Sequence, residues 1–183
     1  MGNYKLSYSG ERIIIDRPDQ TNIQVQDIAH SLSLLCRFTG HCNKFYSVAQ
    51  HCIHVSRLAP PRARAWALLH DACEYVLGDV CTPLKSALRH ASIDGITRYD
   101  WLQDQWSIAI ARRFGVTMCD VKRYDIQSLL TEVRDNGPDG EDPRGWFGAE
   151  YADLRPDHER IVPLAPVAAE GMYLAYAAEL GIK

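Results

Sequence analysis

No run of apolar residues in this 183-residue chain approaches the roughly 20 that a membrane-spanning helix needs, so no membrane partner is expected. Dense blocks of Lys and Arg are also missing: 20 basic and 23 acidic side chains leave a formal net charge of -3, which gives long nucleic acid no electrostatic footprint. The cysteines, Cys36, Cys42, Cys52, Cys73, Cys81 and Cys119, include no Cys-x-x-Cys pair, and nothing at the amino terminus reads as a signal peptide. Reduced thiols and a cytoplasmic location are therefore expected. The start Met1-Gly2-Asn3-Tyr4-Lys5-Leu6 has leucine where a myristoylation motif needs Ser or Thr. No repeat or low-complexity tract interrupts the chain. What is present is ordinary globular material, 46% hydrophobic and 23% charged, in a length that suits a single domain with one sizeable core.

The hydrophobic spacing predicts an all-α protein preceded by a short hairpin. Residues Tyr4 to Asp16 alternate around Ser9-Gly10 and read as a β-hairpin, a decoration within segment 1–20 rather than a sheet core. Ile28, Leu32, Leu35 and Cys36 recur at helical spacing between Asp27 and Phe38, in a helix ending near Gly40. Ser47-Val48-Ala49-Gln50 fits a capping box opening a helix from Val48 to Leu58. After Pro60-Pro61 a third helix is expected from Arg62 to Leu77, stopped by Gly78. Thr82-Pro83 reads as N-cap and first helical residue of a short helix through Arg89. Longer helices follow from Ile93 to Phe114 and from Val121 to Arg134. Residues 135–163, rich in Gly, Pro and Asp, read as a loop over the site. A closing helix runs from Leu164 to Leu180, with Met172 as core.

Chemistry concentrates in one constellation: His51, the adjacent pair His70-Asp71, and Asp125. Imidazole and carboxylate ligands suit Zn, Mn, Co or Fe, and so few protein ligands leave coordination positions open for water and substrate. A lone His or Asp on a helix is ordinarily a hydrogen-bonded or solvated residue, and a salt-bridged core His-Asp pair is the bland alternative. Apolar Trp66, Leu68 and Leu69 lead straight into His70-Asp71, and buried charge is tolerated only when paired or metal-bound. Glu74, four residues after His70 and three after Asp71, falls on the same side of a helix, placed to take a proton from water that metal coordination has acidified. Asp79 follows Gly78, where Asp is commonly a turn residue. Candidate cations for an anionic substrate are Arg37, Lys85, Lys122, Arg123 and Arg134. Arg37 stands out because it emerges from an apolar helix face beside Phe38, where its guanidinium can grip phosphate bidentately and the ring can stack on a base or pack in the core. His41 and His54 are second-tier candidates.

These residues resemble the HD-domain superfamily of metal-dependent phosphohydrolases. His51, His70-Asp71 and Asp125 match its H…HD…D ligands in order and approximate spacing. The stretch His70-Asp71-Ala72-Cys73-Glu74-Tyr75-Val76-Leu77-Gly78-Asp79, with Thr82-Pro83-Leu84-Lys85, is similar to that of bacterial HD-domain 5′-nucleotidases, and Ser47-Val48-Ala49-Gln50-His51 resembles the element around their first ligand. Cys36-Arg37-Phe38-Thr39-Gly40-His41 through Ser47 resembles a phage and prophage subgroup that includes dATP triphosphohydrolases. The resemblance covers roughly residues 12 to 135 and, more loosely, the last helix. It implies an all-α HD bundle, one transition metal, Glu74 and Asp79 assisting the attacking water, and Arg37 and Lys85 on phosphate. It also implies a homo-oligomer, with the Trp101 and Trp106 helix as a candidate interface.

The implied reaction is hydrolysis at the 5′ phosphoester of a deoxynucleoside phosphate, releasing phosphate from a monophosphate or triphosphate from a triphosphate. Lys122, Arg123 and Arg134 near Asp125 would serve a triphosphate, which would also bring Mg. Two other classes are open: a di-iron oxygenase, which would need further histidines where only His90 lies, and a non-catalytic nucleotide-binding module.

Overall fold

The computed structural model describes residues 4–90, 97–137 and 142–183. The chain is mostly helical. Strands β1 (Tyr4–Leu6) and β2 (Arg12–Ile14) form an antiparallel hairpin, followed by α1 (Val25–Leu34), α2 (Val48–Leu58), α3 (Arg64–Leu69), α4 (Glu74–Leu77), α5 (Thr82–His90), α6 (Arg98–Phe114), α7 (Lys122–Asn136) and α8 (Pro166–Glu179). Among the described residues no helix is long and apolar enough to cross a membrane.

The hairpin is more than the decoration expected. Gly10, at a φ of 87°, turns the chain so that Lys5 pairs with Ile13, and Ile13 is buried in the main core. On the other strand Lys5 Nζ donates to the carbonyls of Tyr75 (3.0 Å) and Val76 (3.1 Å), clamping the hairpin onto α4.

Helix α2 is central, packing against α1, α3, α7 and α8. It buries Val48, His51, Cys52 and Val55, and Ser47 caps it by accepting from the Gln50 backbone N–H at 3.1 Å. The other half of the expected capping box is absent. Gln50 instead donates to the Val162 carbonyl (2.8 Å) and accepts from the Leu164 N–H (2.9 Å), tying the segment before α8 to α2. Ser47→Ala removes one cap and leaves a helix-start N–H unpaired, an expected cost of about 1 kcal/mol, or roughly 2–4 °C in Tm for a chain of this size. Thermal unfolding checks this, and an unchanged midpoint would contradict the assignment.

Two predicted helices stop or break early, and both departures shape the site. Helix α1 ends at Leu34 rather than continuing to Phe38, because Val48 N–H donates to the Leu35 carbonyl (3.0 Å) and Arg37 N–H to that of Tyr46 (2.8 Å). Pairing with the strand-like approach to α2 outcompetes the helix. The chain then turns through Phe38 and Thr39 in the left-handed region, with φ of 55° and 54°. The predicted helix from Arg62 to Leu77 is likewise broken after Leu69. Ala72 N–H donates to the Leu69 carbonyl (2.9 Å), Glu74 to Asp71 (3.0 Å) and Tyr75 to Ala72 (3.1 Å), a tighter three-residue pattern that marks functional turns. Gly78, at a φ of 79°, ends α4 as expected.

Thr82 is the first residue of α5, one position later than the cap role expected for it. Ile93 to Ile96, the start of the predicted Trp-bearing helix, lie outside the described residues. From Thr97 onward, Thr97 and Asp100 form a reciprocal capping box and Gly115 closes α6. Trp106 is buried and donates to the Ile15 carbonyl at 2.9 Å, so it serves the core; Trp101 is exposed. Asp135 and Asn136 belong to α7 rather than to the loop that follows. Beyond them, short 3-10 turns at Pro143–Trp146 and Ala149–Tyr151 lead to Leu154, which packs on Ile126 and Leu130 of α7. Tyr173 anchors α8 by donating to the Leu68 carbonyl at 3.0 Å, while Met172 is only partly buried.

Candidate metal centre

The fold brings His51 from α2, His70 and Asp71 from the turn between α3 and α4, and Asp125 from the first turn of α7 to one point. Nε2 of His51 lies 3.5 Å from Asp71 Oδ2 and 3.4 Å from Asp125 Oδ1, and Nε2 of His70 lies 3.3 Å from Asp71 Oδ2. Candidate ligand atoms of His51, His70 and Asp125 all fall within 4.8 Å of one another. Each imidazole is fixed from behind. Nδ1 of His70 donates to the Ala67 carbonyl at 2.8 Å, and Nδ1 of His51 donates to Glu132 Oε1 at 2.5 Å. With Nδ1 committed, a neutral imidazole at either position turns a bare Nε2 toward the two aspartates, and both Nε2 atoms are buried without a hydrogen-bond partner. Uncompensated lone pairs beside paired carboxylates are what a divalent cation satisfies, so the donor set fits a metal.

The electrostatics agree. Burial and Arg37 pull the His51 pKa down, but Glu132, Asp125 and Asp71 raise it well above the ordinary range. Burial resists ionisation of Asp125, yet His51, His70 and Lys122 hold its carboxyl far below the usual range. Without a metal ion, protons on the histidines, with Arg37 and Lys122 at the edge, offset the charge of the two aspartates. A second group, Cys52, His70 and Asp71, shares two of these residues, and burial pushes the Cys52 thiol up to about 11.

Glu74 opens α4 beside this cluster. It is buried, and its Oε2 has no partner. Burial, then Asp71 and Asp79, push its carboxyl up to about 9. A cation among the aspartates offsets those same charges. Asp79, half-buried, is raised by burial as well, with Arg37 pulling the other way.

The cations divide. Arg37 is buried, with Nη1 3.9 Å from Asp71 Oδ2, but its Nε and Nη2 edge donates to Glu132 at 3.3 and 3.2 Å. Its fork is thus already in use, and only the outer edge faces the site. Phe38 lies with its ring 5.4 Å from the Arg37 guanidinium and is partly buried. Lys122 Nζ is 2.8 Å from Asp125 Oδ2, and Lys85, over the Tyr99 ring, is near enough to lower the pKa of both Glu74 and Asp79. Arg123 and Arg134 are drawn away: Arg123 pairs with Asp153, and Arg134 with Asp135 and the carbonyls of Asp157 and Glu159. His41 is exposed, and His90 donates to the Ser86 carbonyl (2.7 Å); neither joins a metal cluster.

No family model matches the chain. The uncharacterized protein YfdR of Escherichia coli (strain K12) is 35% identical over 171 residues, spanning 92% of this chain and 90% of that protein. The chain belongs to the YfdR family. The uncharacterized protein RCAP_rcc00048 of Rhodobacter capsulatus is 38% identical over 117 residues, 59% of this chain and 56% of that protein.

In this YfdR-family member, sequence reasoning missed Ser128 and Glu132. Ser128 Oγ donates to Glu132 Oε1 at 2.8 Å and receives His54 Nδ1 at 2.8 Å, so His54 belongs to the support of the cluster. The signal was available. Asp125, Ser128 and Glu132 recur at i, i+3 and i+7, one face of α7.

Proposed function

We propose that this chain is an HD-domain phosphohydrolase that cleaves the 5′ phosphoester of deoxynucleoside phosphates at a single transition-metal site. The observation that carries the reading is the pair of buried, partnerless Nε2 atoms of His51 and His70 facing Asp71 and Asp125, with the equally partnerless Glu74 Oε2 beside them. His51, His70, Asp71 and Asp125 would hold Co, Mn, Zn or Fe. Bound there, the ion would acidify water and draw negative charge from phosphate oxygens.

The chain's own residues supply the rest. Glu74 accepts the proton as water adds to phosphorus, and Asp79, across the same acidic edge, helps hold that water. The bond from phosphorus to the 5′ oxygen breaks, the deoxynucleoside leaves as its 5′ alcohol, and one water is consumed. Arg37, through its outer edge, and Lys85 offset the phosphate charge, and Phe38 beside Arg37 offers a face to the base. Because Arg123 and Arg134 are engaged elsewhere, a monophosphate suits the remaining cations better than a triphosphate with its Mg.

The test is a panel of deoxynucleoside mono- and triphosphates incubated with Mn2+- or Co2+-loaded protein and resolved by chromatography. Deoxynucleoside with orthophosphate from the monophosphates is expected. Deoxynucleoside with intact triphosphate would move the assignment to triphosphohydrolase, and no product from any would return it to a binding module or an oxygenase.

A further inference from the structure

We infer that Glu132 is a positioning residue whose single carboxylate holds both halves of the site, the metal-facing His51 and the anion-facing Arg37. The inference rests on reading His51 as a ligand and goes beyond it, since nothing in the H…HD…D pattern calls for a glutamate on α7.

Four donors converge on this one group. Oε1 accepts from His51 Nδ1 at 2.5 Å and Ser128 Oγ at 2.8 Å, while Oε2 accepts from Arg37 Nε at 3.3 Å and Nη2 at 3.2 Å. The Glu132 side chain is 0% exposed, so water cannot take over any of these bonds. Only a group that accepts on both oxygens satisfies the arrangement. An amide would accept on one side and turn its NH2 against a donor on the other; a methyl would leave both sides unpaired, at a cost of about 1–3 kcal/mol for each stranded group.

The consequences differ for the two halves. On the metal side, the bond fixes the His51 proton on Nδ1 and frees Nε2 as the ligand atom. On the anion side, it pins one edge of Arg37 and leaves Nη1 directed at Asp71, where a phosphate oxygen would meet it. A displacement of α7 that carries Glu132 therefore moves Asp125, His51 and Arg37 together.

A purely structural ion pair between Arg37 and Glu132 would affect stability but not ligand affinities, and that difference is measurable. Titration calorimetry with Mn2+ alone and with inorganic phosphate alone should be run on the wild type, Glu132→Gln and Glu132→Ala, each first shown to be folded by circular dichroism. Glu132→Ala should weaken Mn2+ binding by about 10–100-fold and weaken phosphate binding too. Glu132→Gln should show unequal losses, sparing the half its carbonyl serves. Nitrogen-15 spectra of Zn2+-loaded wild type should place the His51 proton on Nδ1. Wild-type affinities in folded Glu132→Ala, or a wild-type His51 proton on Nε2, would overturn the inference. Should neither variant fold, the wild-type spectrum still decides. Intact metal binding and tautomer with no nucleotide hydrolysis would instead sink the phosphohydrolase reading and leave Glu132 in its role.

Discussion

Chelating divalent metal should lower the thermal unfolding midpoint by about 5–10 °C relative to protein saturated with Mn2+. A ligand that binds only the folded state at about 100 times its Kd adds about 2.7 kcal/mol, and for a chain of this length each kcal/mol moves Tm by roughly 2–4 °C. The physical source is local. Two buried imidazole nitrogens have no partner, and Asp71 and Asp125 crowd beside them. His70→Ala removes one of those nitrogens, and Asp125→Ala removes the anchor from α7. Differential scanning fluorimetry with and without Mn2+ should show the metal-dependent rise in the wild type and almost none in either variant. A rise of equal size in both variants would mean that the ion binds elsewhere.

Glu74→Gln should act in the opposite way, leaving the metal-induced rise intact while lowering turnover by about 10²–10⁴-fold, the usual contribution of a positioned acid or base. The replacement keeps the size of the side chain and removes its ability to take a proton. Glu74 Oε2 makes no hydrogen bond, so the replacement strands no partner at that atom. Burial, then Asp71 and Asp79, already disfavour the charged form of Glu74, so the neutral amide should leave the variant at least as stable as the wild type. Steady-state kinetics on the monophosphate panel separates the outcomes. Lost kcat with unchanged KM fits the assigned role, whereas unchanged turnover would remove Glu74 from the mechanism.

Much of the site was legible because its chemistry sits in adjacent or capped positions. Ser47 announced the start of α2 and thereby put His51 in its first turns, and His70-Asp71 needed no register at all. Asp125 was legible as the last member of the H…HD…D pattern, on the helix expected from Val121 to Arg134. The environment of Arg37 was not. Periodicity carried α1 through Phe38, but pairing of Leu35 and Arg37 with the segment before α2 ended the helix and turned the chain through two left-handed residues. That detour buries Arg37 against Glu132, a contact spanning α7 and the turn after α1, which no local pattern encodes. Arg123 and Arg134 looked available because Asp153 and the carbonyls of Asp157 and Glu159 lie in a stretch without periodicity, and because Asp135, the neighbour of Arg134, was read as loop rather than as part of α7.

The central claim is that His51, His70, Asp71 and Asp125 hold one divalent metal. The most direct measurement is anomalous diffraction at the manganese edge from crystals grown with Mn2+. The account predicts a single peak bounded by Nε2 of His51, Nε2 of His70 and the carboxylates of Asp71 and Asp125, with Cys52 Sγ outside its coordination sphere. A peak seated on Cys52 with His70 and Asp71, or no peak among these residues at all, would contradict it.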